Sequence, residues 1–418
     1  MSKPIHTYLD LDVVNNNLNS NTNAPQLRFE ENRNTPFLEG DSSEYFCSIV
    51  RFSIQTGNSL PIFIPRIETG AAQSDINKTV YKVTLSVNLT HKDGKDAVPA
   101  TGTTPAVPAI PATTNSYTGG TISLSYVCPD SVADLPQLPS TQQDMSGTYY
   151  YQYNIKDIVN MFNAGLTAAW KDFTTNIPST LNGIDEKDIA AVMRNTVAPY
   201  FQYDYDKCRL VLSVHQYFNG DTYQNGTFAG SVNFNTRFYE LLSGLPCIRR
   251  NRTGDLNYQF TADTTTTVIA KDSAGVPHPM LQTSQEVSSL AMWNPIASVV
   301  FCTGMLPIVS TNTSLPITYG GSSNDNLASN GNNSNLTNII SDFEIAVTET
   351  NQYRPIIIYN PSSEYRLLDM HSSLNLNRID ISVFWKTQFG DLVPLRLQPG
   401  CAAHIKLMFR HRTFYLGY

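Results

Sequence analysis

The stretch LNRIDISVFWKTQFGDLVPLRLQPGCAAHIKLMFR, Leu376 to Arg410, spells out two strands and a tight hairpin. Ile379, Ile381, Val383 and Trp385 fall on alternate positions, with Asp380, Ser382 and Lys386 between them. That is the period-2 pattern of a strand with one wet face and one buried face. Phe384 is the one apolar residue on the outer face. Phe389-Gly390-Asp391 supplies the permissive residue a turn needs, and the chain then passes Pro394 and Pro399-Gly400. In the second run Ala403, Ile405, Leu407 and Phe409 alternate with His404, Lys406 and Arg410.

Working outward, the same alternation recurs. Glu44 to Gln55 carries Phe46, Val50, Phe52 and Ile54 on one face and Arg51 on the other. From Val80 to Thr90, Tyr81, Val83, Leu85, Val87 and Leu89 alternate with Lys82, Thr84, Ser86 and Asn88. The predicted core is therefore Phe46, Val50, Phe52, Tyr81, Val83, Leu85, Val87, Trp293, Ile381, Val383, Trp385, Ile405, Leu407 and Phe409. Further strands are expected at Thr121 to Cys128, Tyr200 to Tyr205, Cys208 to Tyr217, Ala297 to Cys302, Ile339 to Thr348 and Arg354 to Tyr359. One amphipathic helix stands among them. Ile155, Ile158, Val159, Phe162, Leu166, Ala169, Trp170 and Phe173 recur at three- and four-residue spacing, and Asn154 is placed to cap the start. A shorter helical piece is expected around Glu186 to Arg194, and a helical turn over Thr236 to Leu242.

The remainder reads as loops. Residues 1–40 are Asn-rich and suggest an extended N-terminal arm. Residues 91–120 are rich in Pro, Ala, Thr and Gly; 249–290 are polar and Thr-rich, suggesting loops or a weak outward-facing hairpin; 319–338 are a Gly, Asn and Ser tract. About eight useful strands, with a helix that interrupts rather than alternates with them, exclude a doubly wound α/β fold. They favour an all-β, antiparallel jelly-roll sandwich with one inserted amphipathic helix and long loops. The expected organisation is the arm followed by a single jelly-roll domain over 41–418. Loop insertions near 91–120, 249–290 and 319–338 leave room for a small outward subdomain.

Composition narrows the function. Only 15% of the 418 residues are charged, against a usual quarter. Such a surface suits packing against neighbours. A formal net charge of -7 argues against direct nucleic-acid binding, which needs clustered Lys and Arg. No leader-like apolar segment and no run of about 18 apolar residues is seen, so soluble use without a membrane span is expected. Cys47, Cys128, Cys208, Cys247, Cys302 and Cys401 lack any C-x-x-C spacing and read as small buried hydrophobes, with a disulfide framework or a metal site as alternatives.

The residues point to no catalytic residues, cofactor or metal. The histidines show no ligand spacing near carboxylates, and phosphate-loop, nucleophile-elbow and zinc-protease motifs are absent. Asp204 with Asp206, and Asp185 with Glu186, read as solvated or capping acids rather than an acid and base pair. Tyr149, Tyr150, Tyr151, Tyr153, Tyr200, Tyr203 and Tyr205 read as strand and interface residues, a sugar-stacking platform being the alternative. Lys406, Arg410, His411 and Arg412 form a small positive end, suited to salt links or, alternatively, to packaged genome.

Four blocks carry a resemblance. They are Tyr45 to Ile54 (YFCSIVRFSI) with Leu60-Pro61-Ile62-Phe63; Trp293-Asn294-Pro295 through Val299-Val300-Phe301 to Leu306-Pro307-Ile308; Ser341-Asp342-Phe343-Glu344 with Ile358-Tyr359-Asn360-Pro361 and Glu364-Tyr365-Arg366; and Val383-Phe384-Trp385-Lys386 with Phe389-Gly390-Asp391-Leu392 and Ile405 to Arg410. In order and spacing they resemble the minor capsid, or penton, proteins of virophages, polinton-like viruses and adintoviruses. The resemblance implies a single jelly-roll subunit in a homopentamer at the fivefold vertex of an icosahedral double-stranded DNA virus or virophage capsid. Trimers of a separate double-jelly-roll major capsid protein would surround it, and a vertex attachment protein is a further implied partner. It implies a virion protein made in the host cell, and no enzyme. A carbohydrate-binding or receptor-attachment jelly roll is the alternative from another class. A major capsid protein is the structural one, although its two jelly rolls would need about sixteen strands.

Overall fold

The computed structural model describes residues 6–412 apart from 18–23, 39, 58, 71–73, 92–113, 131–132, 139–142, 178–195, 220–221, 224–225, 251–255, 264–265, 273, 310, 315–316, 320–326, 331–333, 346–354 and 362–365. The chain forms two bodies. One unites Met1–Ile62 with Asn294–Tyr418; the other is Phe63–Trp293. The expected helical piece near 186–194, the acids Asp185 and Glu186, and most of the proline-rich 91–120 loop lie outside the described residues.

The first body holds eight principal strands: β1 (His6–Val14), β2 (Arg28–Asn32), β3 (Tyr45–Gln55), β4 (Ile296–Cys302), β5 (Ile339–Phe343), β6 (Ile356–Tyr359), β7 (Arg378–Thr387) and β8 (Ala402–His411). They pair as β1-β8-β3-β6 in one sheet and β2-β7-β4-β5 in the other, and every described pair is antiparallel. This double Greek-key order is the jelly roll. Strands far apart in sequence meet directly: Ile405 lies opposite Phe52 and Leu407 opposite Ile49. The two runs of the Leu376–Arg410 stretch are not partners. β7 turns tightly through Gly390 (φ 89°) onto Leu392–Pro394. The chain then crosses to the other sheet through a second turn at Gly400 (φ 77°), and positive φ at these two turns suits glycine.

Between the sheets Phe52 meets Phe301 edge-on at 4.9 Å, with Phe29 and Phe343 at 6.5 and 6.2 Å. Phe52, Ile381, Val383, Trp385, Ile405, Leu407 and Phe409 are all buried here. Phe46 and Val50 are only half-buried, contrary to the expected core, and Cys47 and Ile49 point inward instead. The cause is a bulge. Lys406 faces Arg51 and Leu407 faces Ile49, so Val50 is the extra residue and the inside-outside alternation reverses there.

The described strands within 1–40 do not form an arm. β1 pairs with β8 along its whole length and β2 with β7, and Leu27 and Phe29 are fully buried. The signal lies in the alternation Leu9-Asp10-Leu11-Asp12-Val13, set beside Asn-rich sequence that by itself suggests extended chain. The 319–338 tract likewise contains ladders: Thr311–Ser314 pairs with Ser334–Thr337, and Ile317–Tyr319 with Leu327–Asn330.

The second body corrects the single-domain expectation. Its described strands pair only with one another. One sheet runs Cys247–Arg249, Tyr258–Phe260, Gly226–Phe234, Lys78–His91, Thr114–Thr118; the other runs Thr267–Lys271, Pro277–Ser284, Arg209–His215, Tyr200–Asp204. Among its described residues the 249–290 segment supplies sheet strands, and Thr267–Lys271 with Pro277–Ser284 forms the hairpin weighed as an alternative to a loop. Local periodicity shows strands but not which distant strand each one pairs with, so it does not separate the strands of Phe63–Trp293 from those of the jelly roll.

The helix α1 (Ile155–Asn176) packs on Ile122–Ser125, Tyr200–Asp204 and Lys78–His91. All eight residues of its apolar stripe are buried. Gly165 allows the close approach, since a Cβ there would sit 2.6 Å from Leu124 Cγ. Asn154 is the N-cap residue, yet its amide reaches Asp157 Oδ2 at 3.3 Å instead of a backbone N–H. Two short helices follow, α2 (Thr236–Leu241) and α3 (Leu290–Trp293). Phe162 gathers Phe201, Phe238 and Trp293 within 6.0 Å, and Trp293 Nε1 donates to Leu241 O at 2.9 Å. Tyr81, Val83, Leu85 and Val87 are buried in this body.

Candidate functional site

Groups that might have carried chemistry are occupied by structure. Asp204 Oδ1 accepts from the backbone N–H of Asp206 and Lys207 at 3.0 and 3.1 Å, closing the hairpin turn. Tyr149, Tyr150 and Tyr151 are buried, and their hydroxyls donate to Asn77 Oδ1, Ile76 O and Met145 O at 2.7–2.9 Å. Their ring faces are therefore not offered to a sugar. Cys47, Cys208 and Cys302 are buried, and burial pushes the Cys47 and Cys302 thiols up to about 12 and about 11, away from reactive thiolate. Among the described residues no group of three or more His, Cys, Asp and Glu comes together as a metal-binding cluster, and no helix is long and apolar enough to cross a membrane.

In the second body an open pocket of about 510 Å³ is lined by Glu68, Lys82, Arg237 and Glu240. Its charges pair across it, Lys82 with Glu68 at 3.9 Å and Arg237 with Glu240 at 3.3 Å. The same body holds a titratable pair. His215 is buried 6.2 Å from the ring of His278, which bonds Asp272 at 3.0 Å. Burial first, then the His278 charge, pushes His215 down to about 4. The hydrogen bond from His278, with help from the Val276 N–H, holds the Asp272 carboxyl below its ordinary range. His215 thus stays neutral when folded but takes up a proton near 6.5 when unfolded. Its contribution is complete above 6.5 and is lost as pH falls towards 4, by about 3 kcal/mol. Thermal melts of the second body should shift downward between pH 7 and 4, and His215→Gln should flatten that slope. An unchanged slope would contradict the burial of a neutral imidazole.

The outer face of the β1-β8-β3-β6 sheet is the most organised surface of the jelly roll. Asp10 reaches Lys406 at 3.2 Å and Arg51 at 3.5 Å, a row across three strands, and Asp12 bonds His404 at 2.6 Å. At the end of β8, His411 contacts Glu44 at 3.2 Å. Arg412 pairs with Asp369 at 2.8 Å and lies over the Phe46 ring. The positive end seen in the sequence is therefore largely spent on internal pairs, of which the exposed ones, Lys406 with Asp10 and Arg412 with Asp369, are each worth little.

The edges of the two sheets differ. In the β2-β7-β4-β5 sheet, edge strand β2 exposes Arg28 and Glu30, and edge strand β5 exposes Asp342. Such charges block unwanted strand pairing. In the β1-β8-β3-β6 sheet, edge strand β1 exposes Tyr8 (55%) and Val14 (56%) on the same face as the charged Asp10 and Asp12, and edge strand β6 exposes Ile356 (52%) and Ile358 (63%). The sequence points to a strand at β6, within Arg354 to Tyr359, but not to one at β1.

The first body is thus a jelly roll whose charged side chains are largely paired within the chain. The chain is a member of the Sputnik minor capsid protein V18/19 family, whose model matches residues 7–411. It is 29% identical to structural protein V19 of Sputnik virophage over 133 residues, 32% of this chain and 56% of that protein. It is 45% identical to the uncharacterized protein V18 of the same virophage over 49 residues, 12% of this chain and 28% of that protein. The chain thus spans about half the length of V19 and less of V18. Among solved structures, a chain of the Sputnik virophage determined by cryo-EM superposes with TM-score 0.71 at 21% identity, covering 99% of both chains. The mavirus penton protein superposes with TM-score 0.53 at 13% identity, covering 97% of this chain and 99% of that one. At these identities the likeness is one of fold.

Proposed function

We propose that the chain is a penton subunit, five copies of which form the vertex capsomer of an icosahedral virophage-like capsid. Its work is assembly and not catalysis, its place is the virion after synthesis in the host cell, and its neighbours are trimers of a double-jelly-roll major capsid protein. The observation that carries this reading is the family match over 7–411 on a chain with one jelly roll. Strand number alone would not have decided against a major capsid protein, since both bodies are rich in strands. Strand order does: among the described residues only the first body has the 1-8-3-6 and 2-7-4-5 order, whereas the second is built largely from neighbouring hairpins. The paired Lys406, His411 and Arg412 favour contact with protein over contact with genome. Native mass spectrometry of the purified chain should show a closed assembly of five 46.4 kDa copies. A trimer, or a monomer at every accessible concentration, would overturn the reading.

A further inference from the structure

We infer that acid opens the second body at the corner where strand Arg209–His215 passes into the turn Gln216–Asn219, and leaves the jelly roll closed. This device goes beyond the assembly reading above and does not depend on it.

The corner is a joint in the packing. His215 ends its strand opposite Met280, on the inner strand of the hairpin formed by Thr267–Lys271 and Pro277–Ser284. The turn that follows carries Phe218, which is buried and whose ring stands 6.1 Å from Trp170 of α1. The turn lies so close on Gly226–Phe234 that a Cβ on Gly230 would sit 3.0 Å from both Tyr217 O and Phe218 Cδ1. One short turn therefore ties a strand of one sheet to the other sheet and to the helix.

A neutral imidazole holds that turn. His215 is 2% exposed, and its Nδ1 accepts from the Tyr217 N–H at 3.4 Å. A protonated Nδ1 carries a hydrogen and cannot accept, so the proton and this bond exclude each other. The surroundings do not welcome the charge either. The titratable group facing His215 from Pro277–Ser284 is His278, 6.2 Å away ring to ring, and the Asp272 carboxylate in the hairpin turn is already engaged by His278 at 3.0 Å. Tyr217 stands 4.5 Å away, ring to ring. From Tyr200–Asp204, Tyr200 lies opposite Ser213, while Asp204 is at the far end opposite Arg209. Lys271 lies one strand further out, opposite Pro277, and Gly226–Phe234 carries no titratable residue.

Burial and the His278 charge hold His215 at about 4 in the closed corner, whereas an opened corner returns it to the ordinary 6.5. The open form thus takes up the proton first as pH falls, and acid favours it. Asp272 is held below its ordinary range, so the hairpin turn keeps its own charge through the same window. In the jelly roll the arrangement is reversed. His411 is buried 3.2 Å from Glu44 and His404 lies 2.6 Å from Asp12, so a proton there meets a carboxylate.

Peptide-resolved hydrogen exchange of the full chain at pH 7.5 and 5.0, scaled for the intrinsic pH dependence of amide exchange, tests this. Opening over Leu210–Phe218 and Pro277–Ser284 should rise about twentyfold at pH 5.0 and reverse on return to 7.5, with Tyr45–Gln55 and Ala402–His411 unchanged. His215→Gln, which keeps an oxygen for the Tyr217 N–H without titrating, should abolish the rise, and His278→Gln should reduce it. No rise at the corner, an equal rise in the jelly roll, or a rise that survives His215→Gln would overturn the inference. Carbon-13 NMR of the histidine-labelled parent chain gives a check without any variant. One imidazole should still be neutral at pH 5.0, and a spectrum with every imidazole charged would overturn the inference as well.

Discussion

Asp380→Ala is expected to loosen the jelly roll by about 3 kcal/mol, from the net worth of hydrogen bonds to a charged acceptor and the cost of orphaning buried donors. Alternation places Asp380 on the wet face of β7, yet it is only 4% exposed. The turn after β4 folds over it. Its carboxylate accepts from Thr303 Oγ1 at 2.8 Å, Met305 N at 2.8 Å and Gly304 N at 3.0 Å, with Arg28 Nη2 3.6 Å away. Truncation leaves two backbone N–H groups and a hydroxyl to be met by whatever water can enter. Asp380→Asn keeps the shape and one acceptor oxygen, and should cost about half as much. Peptide-resolved hydrogen exchange over β4 and β7 should show opening raised roughly a hundredfold in the alanine variant, since 1.4 kcal/mol is a factor of ten. Unchanged exchange would mean that this carboxylate is not holding the turn.

Phe52→Ala should cost still more, about 4 kcal/mol, because it removes a fully buried ring and leaves a cavity between the sheets. Phe52 is the ring on β3 that touches aromatic residues of β2, β4 and β5, so its loss removes the edge contacts to Phe29, Phe301 and Phe343 together. Phe46→Ala, six residues earlier on the same strand, should cost roughly 1 kcal/mol, since its half-buried ring loses mainly the Arg412 contact. The contrast tests the bulge at Val50. Comparable losses from Phe46 and Phe52, read as midpoints of denaturant unfolding, would mean unbroken alternation and would contradict the observed register.

The parts of the fold that could be read in the sequence are those whose pattern is local. Ile379 to Trp385 and Ala403 to Phe409 announce their faces because polar residues alternate with apolar ones. The α1 stripe does so at helical spacing. What escaped depended on partners distant in sequence. The bulge at Val50 exists only opposite Lys406 and Leu407. Asp380 is buried only because Thr303 to Met305 cover it. Lys78–His91 looked like one more strand of a single sandwich, but it pairs with Gly226–Phe234 and so founds a second body. Strand β6 was half visible: Ile356, Ile357 and Ile358 are all apolar, so periodicity cannot tell that Ile357 points inward and its neighbours outward.

The most direct test is the location of the jelly roll formed by β1–β8 in cryo-EM density of assembled particles. Five copies around each fivefold axis are what the penton account predicts. The same density within threefold-symmetric capsomers, and none at the vertices, would contradict it.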